Sequence, residues 1–153
     1  MALSANAKPV IAGGVSCVQF TAPVKTSSVI YNGALCAFDT LNGPITAFDG
    51  GATDVLAGWH FGDTVTGNTS AAVPPRATIK TGPFIYQSLT VGGSPSNSTL
   101  DLGRPVYASD DGTYTITATG ALVGRIVAYY GSGVFDVEMK NVLGRYGTTT
   151  GGA

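Results

Sequence analysis

"YASDDGTYTITATG", running from Tyr107 to Gly120, carries two adjacent aspartates, Asp110 and Asp111. As a pair of catalytic carboxylates they would make the chain an enzyme; as a hairpin corner they make it a β-protein. Asp111-Gly112 lies between the segments "RPVYAS" and "TYTITAT". Asp-Gly between alternating segments is a hairpin signal, because both residues tolerate the positive φ of a tight turn. Acid–base work by two carboxylates needs side chains that converge in a pocket able to split their pKa values. Neighbours at a hairpin tip supply neither. The stretch therefore predicts a hairpin with Asp110 at its exposed tip. Beyond it, Tyr114, Ile116 and Ala118 face one way and Thr113, Thr115, Thr117 and Thr119 the other, which predicts a half-buried strand.

The same alternation spreads outward. In "VFDVEMK", Phe135, Val137 and Met139 share one face, with Asp136, Glu138 and Lys140 opposite. "GALVGRIVAYY" is a more continuous apolar run, as expected of a strand covered on both faces. "GSG" at 131–133 turns it into the last strand. No window sustains apolar residues at i, i+3, i+4, i+7, so long helices are not expected.

The chain also echoes itself. "GALCAFDTLNGPITAFDGGATDVLAGWHF" from Gly33 and "GRPVYASDDGTYTITATGALVGRIV" from Gly103 each begin with Gly and a short apolar strand, and each turns through a Gly, Gly43 or Gly112. Each then carries Ile-Thr-Ala, at Ile45 to Ala47 and Ile116 to Ala118, and places Gly58 or Gly124 in the next strand. A strand–hairpin–strand unit used twice is predicted, as pseudo-repeats 29–62 and 101–140. Residues 63–100 between them read as a β-hairpin insertion, with two strands over Ala77 to Val91 turning at Gly82-Pro83. The expected organisation is an all-β small barrel or β-tulip over 13–142, with an N-terminal arm at 1–12 and a C-terminal arm at 143–153. Each repeat alone is too small to bury a core, which argues for a single domain.

Composition limits what the surface can do. Only 11% of the 153 residues are charged, against roughly 25% in an ordinary globular protein. Net charge is −1, with no basic block, so there is no electrostatic footprint for nucleic acid or for an anionic membrane. A surface finished in Thr, Ser and Gly is cheap to desolvate, which suits a protein packed against others. The N-terminal apolar run is short and broken by Pro9, Gly13 and Gly14, so neither an export signal nor a membrane span is expected.

Chemistry is sparse. His60 is the one histidine, and no constellation forms around it; an enzyme would have to combine it with Asp49, Asp54 and Asp63. Cys17 and Cys36 lack the paired spacing of zinc ligands and read as small buried hydrophobes. No phosphate-binding glycine loop is present. No catalytic, cofactor or metal residues are expected. Trp59, Phe61, Tyr86, Tyr107, Tyr129, Tyr130 and Tyr146 suit either a packed core, a protein interface or a sugar-binding face.

The strands "YNGALCAFD", "DVLAGWHF", "GRPVYASDDGTYT" and "GALVGRIVAYYGSGVFDVEM" together resemble the capsid decoration, or cement, proteins of tailed bacteriophages. The matching positions are Gly33, Gly58, Gly103, Pro105, Val106, Gly112, Gly124, Gly133 and Val134. The resemblance implies a virion protein on the capsid exterior, made in the bacterial cytoplasm. It implies a homotrimer that locks neighbouring subunits of the major capsid protein, with no nucleic acid, membrane or small-molecule substrate. An extended N-terminal arm would add a strand to a capsid sheet edge; Leu3, Lys8 and Val10 are the expected arm contacts, with Tyr146 from the C-terminal arm. The alternative is a head-fibre base or a carbohydrate-binding β-module that uses its tyrosines.

Overall fold

Twelve strands and one 3-10 turn are laid along the chain, in a computed structural model that describes residues 18–39, 43–51 and 54–143. The strands are β1 (Val18–Pro23), β2 (Val29–Ile30), β3 (Leu35–Phe38), β4 (Ile45–Ala47), β5 (Val55–His60) and β6 (Val65–Thr66). There follow β7 (Arg76–Thr81), β8 (Phe84–Gly92), β9 (Pro105–Ala108), β10 (Tyr114–Thr115), β11 (Ala121–Gly131) and β12 (Val134–Met139). The 3-10 turn spans Thr99–Asp101, and no α-helix occurs among the described residues. The all-β expectation holds, and it includes a closed barrel of five strands in the order β10-β8-β12-β11-β9.

The other large sheet runs β4-β3-β5-β7-β1. This is the barrel's order repeated, with β1, β3, β4, β5 and β7 standing for β8, β9, β10, β11 and β12. The match extends to single residues. Leu35 pairs with Trp59 as Pro105 pairs with Arg125, and Cys36 with Gly58 as Val106 with Gly124. Trp59 pairs with Lys80 as Arg125 pairs with Glu138. The barrel is closed by a parallel contact in which Tyr114 faces Val91. In the first sheet a parallel bridge, Val24 to Ile45, marks the same seam, and the Lys25 amide donates to the Ile45 carbonyl at 2.8 Å. The chain is thus two tandem copies of one five-stranded unit, 18–81 and 84–139. The first copy adds a small ribbon, β2 with β6, which carries the fully buried Ile30.

Gly58 and Gly124 show why the repeat keeps its glycines. A Cβ on Gly58 would lie 2.5 Å from the Lys80 carbonyl oxygen, and one on Gly124 would strike the carbonyl oxygen of the equivalent Glu138. Both sit where the pairing register shifts by a residue, and the neighbouring strand closes in on the bulge.

The repeat boundaries differ from those expected. β7 and β8 are the two strands foreseen around Gly82-Pro83, but they do not form a hairpin: β7 pairs with β1 and β5, and β8 with β10 and β12. Residues 63–100 are therefore not an insertion. They hold the last strand of one unit and the first strand of the next, and Gly82-Pro83 is the link between units. The alignment of Ile45 with Ile116 also slips, since it is Tyr114 that occupies Ile45's place at the seam. The strand foreseen over 113–119 stops at Thr115. The Thr115 hydroxyl accepts the Thr117 amide at 3.0 Å, a local turn that competes with the ladder. β11 is half-buried, not covered on both faces, with Ala121, Val123 and Ile126 inside and Arg125 and Val127 exposed. In β12, Phe135, Val137 and Met139 are fully buried, as the alternation requires, but Asp136 opposite them is buried too, because its carboxylate accepts the Ser88 amide at 3.0 Å and the Tyr130 hydroxyl at 2.7 Å.

Two apolar clusters fill the fold. One fills the first unit and includes Val24, Ile30, Cys36, Ile45 and Ile79. The other fills the barrel and reaches out of it to Leu35, Phe48, Leu56 and Trp59 of the first unit. Alternation along β3 explains the split: Cys36 points into its own unit, and Leu35 and Ala37 point at the neighbour. The two units share a core through that wall. Trp59 Nε1 donates to the Tyr114 hydroxyl at 2.9 Å, and the Leu35 amide donates to the Asp111 carbonyl at 2.9 Å.

Candidate interaction surface

The aspartate pair is a corner. β9 and β10 form the expected antiparallel hairpin, with Ala108 opposite Tyr114. Asp110 Oδ1 accepts the amides of Gly112 (2.9 Å) and Thr113 (2.7 Å), and Oδ2 accepts the Thr113 hydroxyl (3.0 Å). The positive-φ turn is not used: the left-handed residues of the described chain lie elsewhere. The Asp110 carboxylate supplies the turn in its place. This makes Asp110 half-buried and not an exposed tip, and Asp111 is buried beneath it.

His60 is buried, and backbone groups hold both ring nitrogens. Nδ1 accepts the Thr78 amide at 3.2 Å, which leaves Nε2 to donate to the Asp63 carbonyl at 2.8 Å. Asp63 thus meets the ring through its backbone, and the Asp49 carboxylate accepts the Gly51 amide at 3.1 Å. Cys36 is buried, and that burial pushes its thiol well up, so it behaves as an apolar residue. No three of His, Cys, Asp and Glu among the described residues are grouped to hold a metal ion. No helix among the described residues is long and apolar enough to cross a membrane. The expected arm contacts Leu3, Lys8, Val10 and Tyr146, and Cys17, lie outside the described residues.

The aromatics are core residues for the most part. Trp59 and Tyr86 are buried, Phe61 packs edge-on to Phe84 at 5.4 Å, and Tyr129 lies 5.7 Å from Phe135. Tyr130 is exposed, but its hydroxyl donates to Asp136 Oδ2 at 2.7 Å. Tyr107, on β9, is half-buried.

The open apolar surface is elsewhere. Leu100 is 80% exposed and Leu102 46% exposed, on the loop between β8 and β9. The Gly103 amide donates to the Ile126 carbonyl at 2.8 Å, which sets Leu102 beside Val127, itself exposed. The loop is tightly held. Ser98 and Asp101 form a capping box around the 3-10 turn. The fully buried Asp101 carboxylate accepts the amides of Ser96 (3.0 Å) and Ser98 (3.4 Å) and an Arg104 N–H (3.1 Å). Asn97 Oδ1 accepts the Gly133 amide at 2.7 Å, which ties the loop to the β11–β12 turn. The result is a pair of leucines presented on a preorganised frame, so a partner would meet little ordering cost. Ser98-x-x-Asp101 is the sequence signal that would have found it.

Beside the loop runs a groove of about 300 Å³ along the outer face of β9, β11 and β12. Gly103, Pro105, Leu122 and Gly124 line it, together with Arg125 and Glu138, whose side chains pair at 3.0 Å.

Acid should loosen this frame. Burial alone would raise the Asp101 and Asp110 carboxyls, but the hydrogen bonds to each outweigh it and hold both below the ordinary value of 3.8. A carboxyl whose folded pKa is depressed stabilises the fold above its unfolded pKa, and that contribution is lost as pH falls through the folded value. The thermal midpoint should therefore be flat near neutrality and fall below about pH 4. Asp110→Asn should lower the midpoint at neutral pH and shrink the acid-induced drop; an unchanged pH profile would contradict this assignment.

No protein-family model, curated protein or solved structure matches this chain.

Proposed function

We propose that the chain is a structural virion protein that binds the outer surface of a tailed-phage capsid and stabilises it by clamping neighbouring major capsid subunits, as a homotrimer. The observation that carries this reading is the locked loop that presents Leu100 and Leu102 beside Val127 on a closed scaffold. Exposed apolar side chains grouped on a surface mark an interaction site, and a rigid frame lowers the ordering cost of using it. The sparse charge of the chain fits, since little has to be stripped of water on contact. Clamping would then be a matter of binding free energy: several modest contacts made at once hold a lattice far more tightly than any one of them. In this reading Leu3, Lys8, Val10 and Tyr146 add arm contacts to the capsid.

The test is sedimentation of particles from the source on a density gradient. The chain should co-migrate with capsids at a fixed ratio to the major capsid protein. Leu100→Ser with Leu102→Ser should weaken capture by purified capsids about 10-fold or more while leaving the thermal midpoint in place. Migration of the parent chain as free protein would sink the reading. Full capture of the double variant would remove the loop from it. Deleting residues 1–12 separates the arm's share from the loop's.

A further inference from the structure

We propose that the groove on the outer face of the second unit is the docking surface for the first unit of another copy of this chain, so that chains join head to tail. The repeat carries the argument. In the first unit, Leu35, Leu56 and Trp59 form a wall fully buried against the second unit. The shared register equates Leu35 with Pro105 and Trp59 with Arg125. Leu56 and Leu122 correspond as the residues two before Gly58 and Gly124. In the second unit this wall is open: Pro105 and Arg125 are exposed, Leu122 is half-buried, and all three line the groove. One interface of the series is filled and its repeat is empty.

The surface that fills the first is repeated too. Phe84 of the second unit meets Trp59 edge-on at 5.1 Å, with Tyr86 packed beside Phe84 at 6.4 Å. Phe84 pairs with Met139, and Val18 pairs with Thr81, the residue that Lys80 and Glu138 identify as Met139's counterpart. Val18 and Phe20 thus stand where Phe84 and Tyr86 stand. Val18 is 44% exposed and Phe20 half-buried. Each chain therefore offers an open copy of the wall and, at Val18 with Phe20 beside it, an open edge of the surface that covers it. The contact between chains is the softer version, with arginine in place of tryptophan and valine in place of phenylalanine. Arginine is nonetheless a frequent anchor of interfaces. A contact of this head-to-tail kind makes a ring where the rotation closes and a filament where it does not. The inference deepens the capsid-clamping reading, which calls for an oligomer, but its test uses free protein, so either can fail alone.

The test is sedimentation velocity of the full chain from micromolar to millimolar concentration. The parent should associate, and Leu122→Asp and Val18→Asp should each weaken association about 10-fold or more. Mixed in equal amounts, these two variants should form a dimer that grows no further, because each keeps one intact surface. Arg125→Glu, at an exposed position, repeats the Leu122 test with little risk to folding, and unfolding midpoints verify that every variant folds. A parent chain that stays monomeric at millimolar concentration overturns the proposal. So does a variant mixture that stays monomeric while the parent associates, or a Val18→Asp chain that associates like the parent.

Discussion

Replacing Trp59 with alanine is expected to destabilise the protein by roughly 3–5 kcal/mol, the largest effect of any single substitution considered for this fold. Trp59 is fully buried and belongs to the cluster that spans both units. Its ring packs edge-on to Phe84, and its N–H donates to the Tyr114 hydroxyl. Alanine removes the ring from the seam between units and leaves a cavity that the packed sheets on either side cannot collapse to fill. It also strips a donor from a buried phenol that burial already holds neutral, well above its usual pKa. Trp59→Phe separates the two contributions: it keeps most of the packing and loses the hydrogen bond, at a cost of about 1–3 kcal/mol. Urea unfolding followed by far-ultraviolet circular dichroism measures both, since Trp59 is the one tryptophan and its fluorescence vanishes with it. An alanine variant with the parent's midpoint would mean that the units do not share this core.

Gly82→Ala should come next, at roughly 1–3 kcal/mol or more. Gly82 joins β7 to β8, and its amide donates to the Lys140 carbonyl at 3.2 Å. A Cβ there would strike the Met139 carbonyl oxygen and lie 2.6 Å from the Lys140 carbonyl. These are backbone atoms at the end of β12, which cannot yield without dragging the strand. Gly103→Ala is the natural comparison. It has open space around it, with nothing within 4 Å of a Cβ, but a φ of +82°. Its cost is the left-handed penalty alone, about 1–2 kcal/mol. Thermal midpoints should rank Gly82→Ala below Gly103→Ala; the reverse order would show that the junction relaxes.

The sequence betrays its β3–β4–β5 and β9–β10–β11 repeats because glycines punctuate them at fixed places. Gly33, Gly58, Gly103 and Gly124 are needed wherever the unit is built, so they survive in both copies. The flanking strands β1 and β8, or β7 and β12, share only alternation, which any half-buried strand displays. Gly82-Pro83 reads as a turn whether the strands on either side pair with each other or part company. Turn chemistry is local, and the choice of partner is not. For the same reason Asp110 was legible as a corner residue, whereas the Asp101 frame was legible only as the local Ser98-x-x-Asp101 turn. The first depends on the next three residues, the second on burying a carboxylate under a loop tied to Gly133. The groove could not be foreseen at all, since it is defined by what the equivalent wall does in the other unit.

The wall of Leu35, Leu56 and Trp59 has a consequence for biosynthesis. A ribosome delivers residues 18–81 before the strands that cover that wall exist. At roughly 5–20 residues per second, the nascent chain carries a naked apolar face for several seconds or more. The chain carries few charges to keep such intermediates apart, 11% of its residues. The yield of folded protein therefore depends on how fast the second half arrives, and slow codons between β7 and β12 would turn part of it into aggregate.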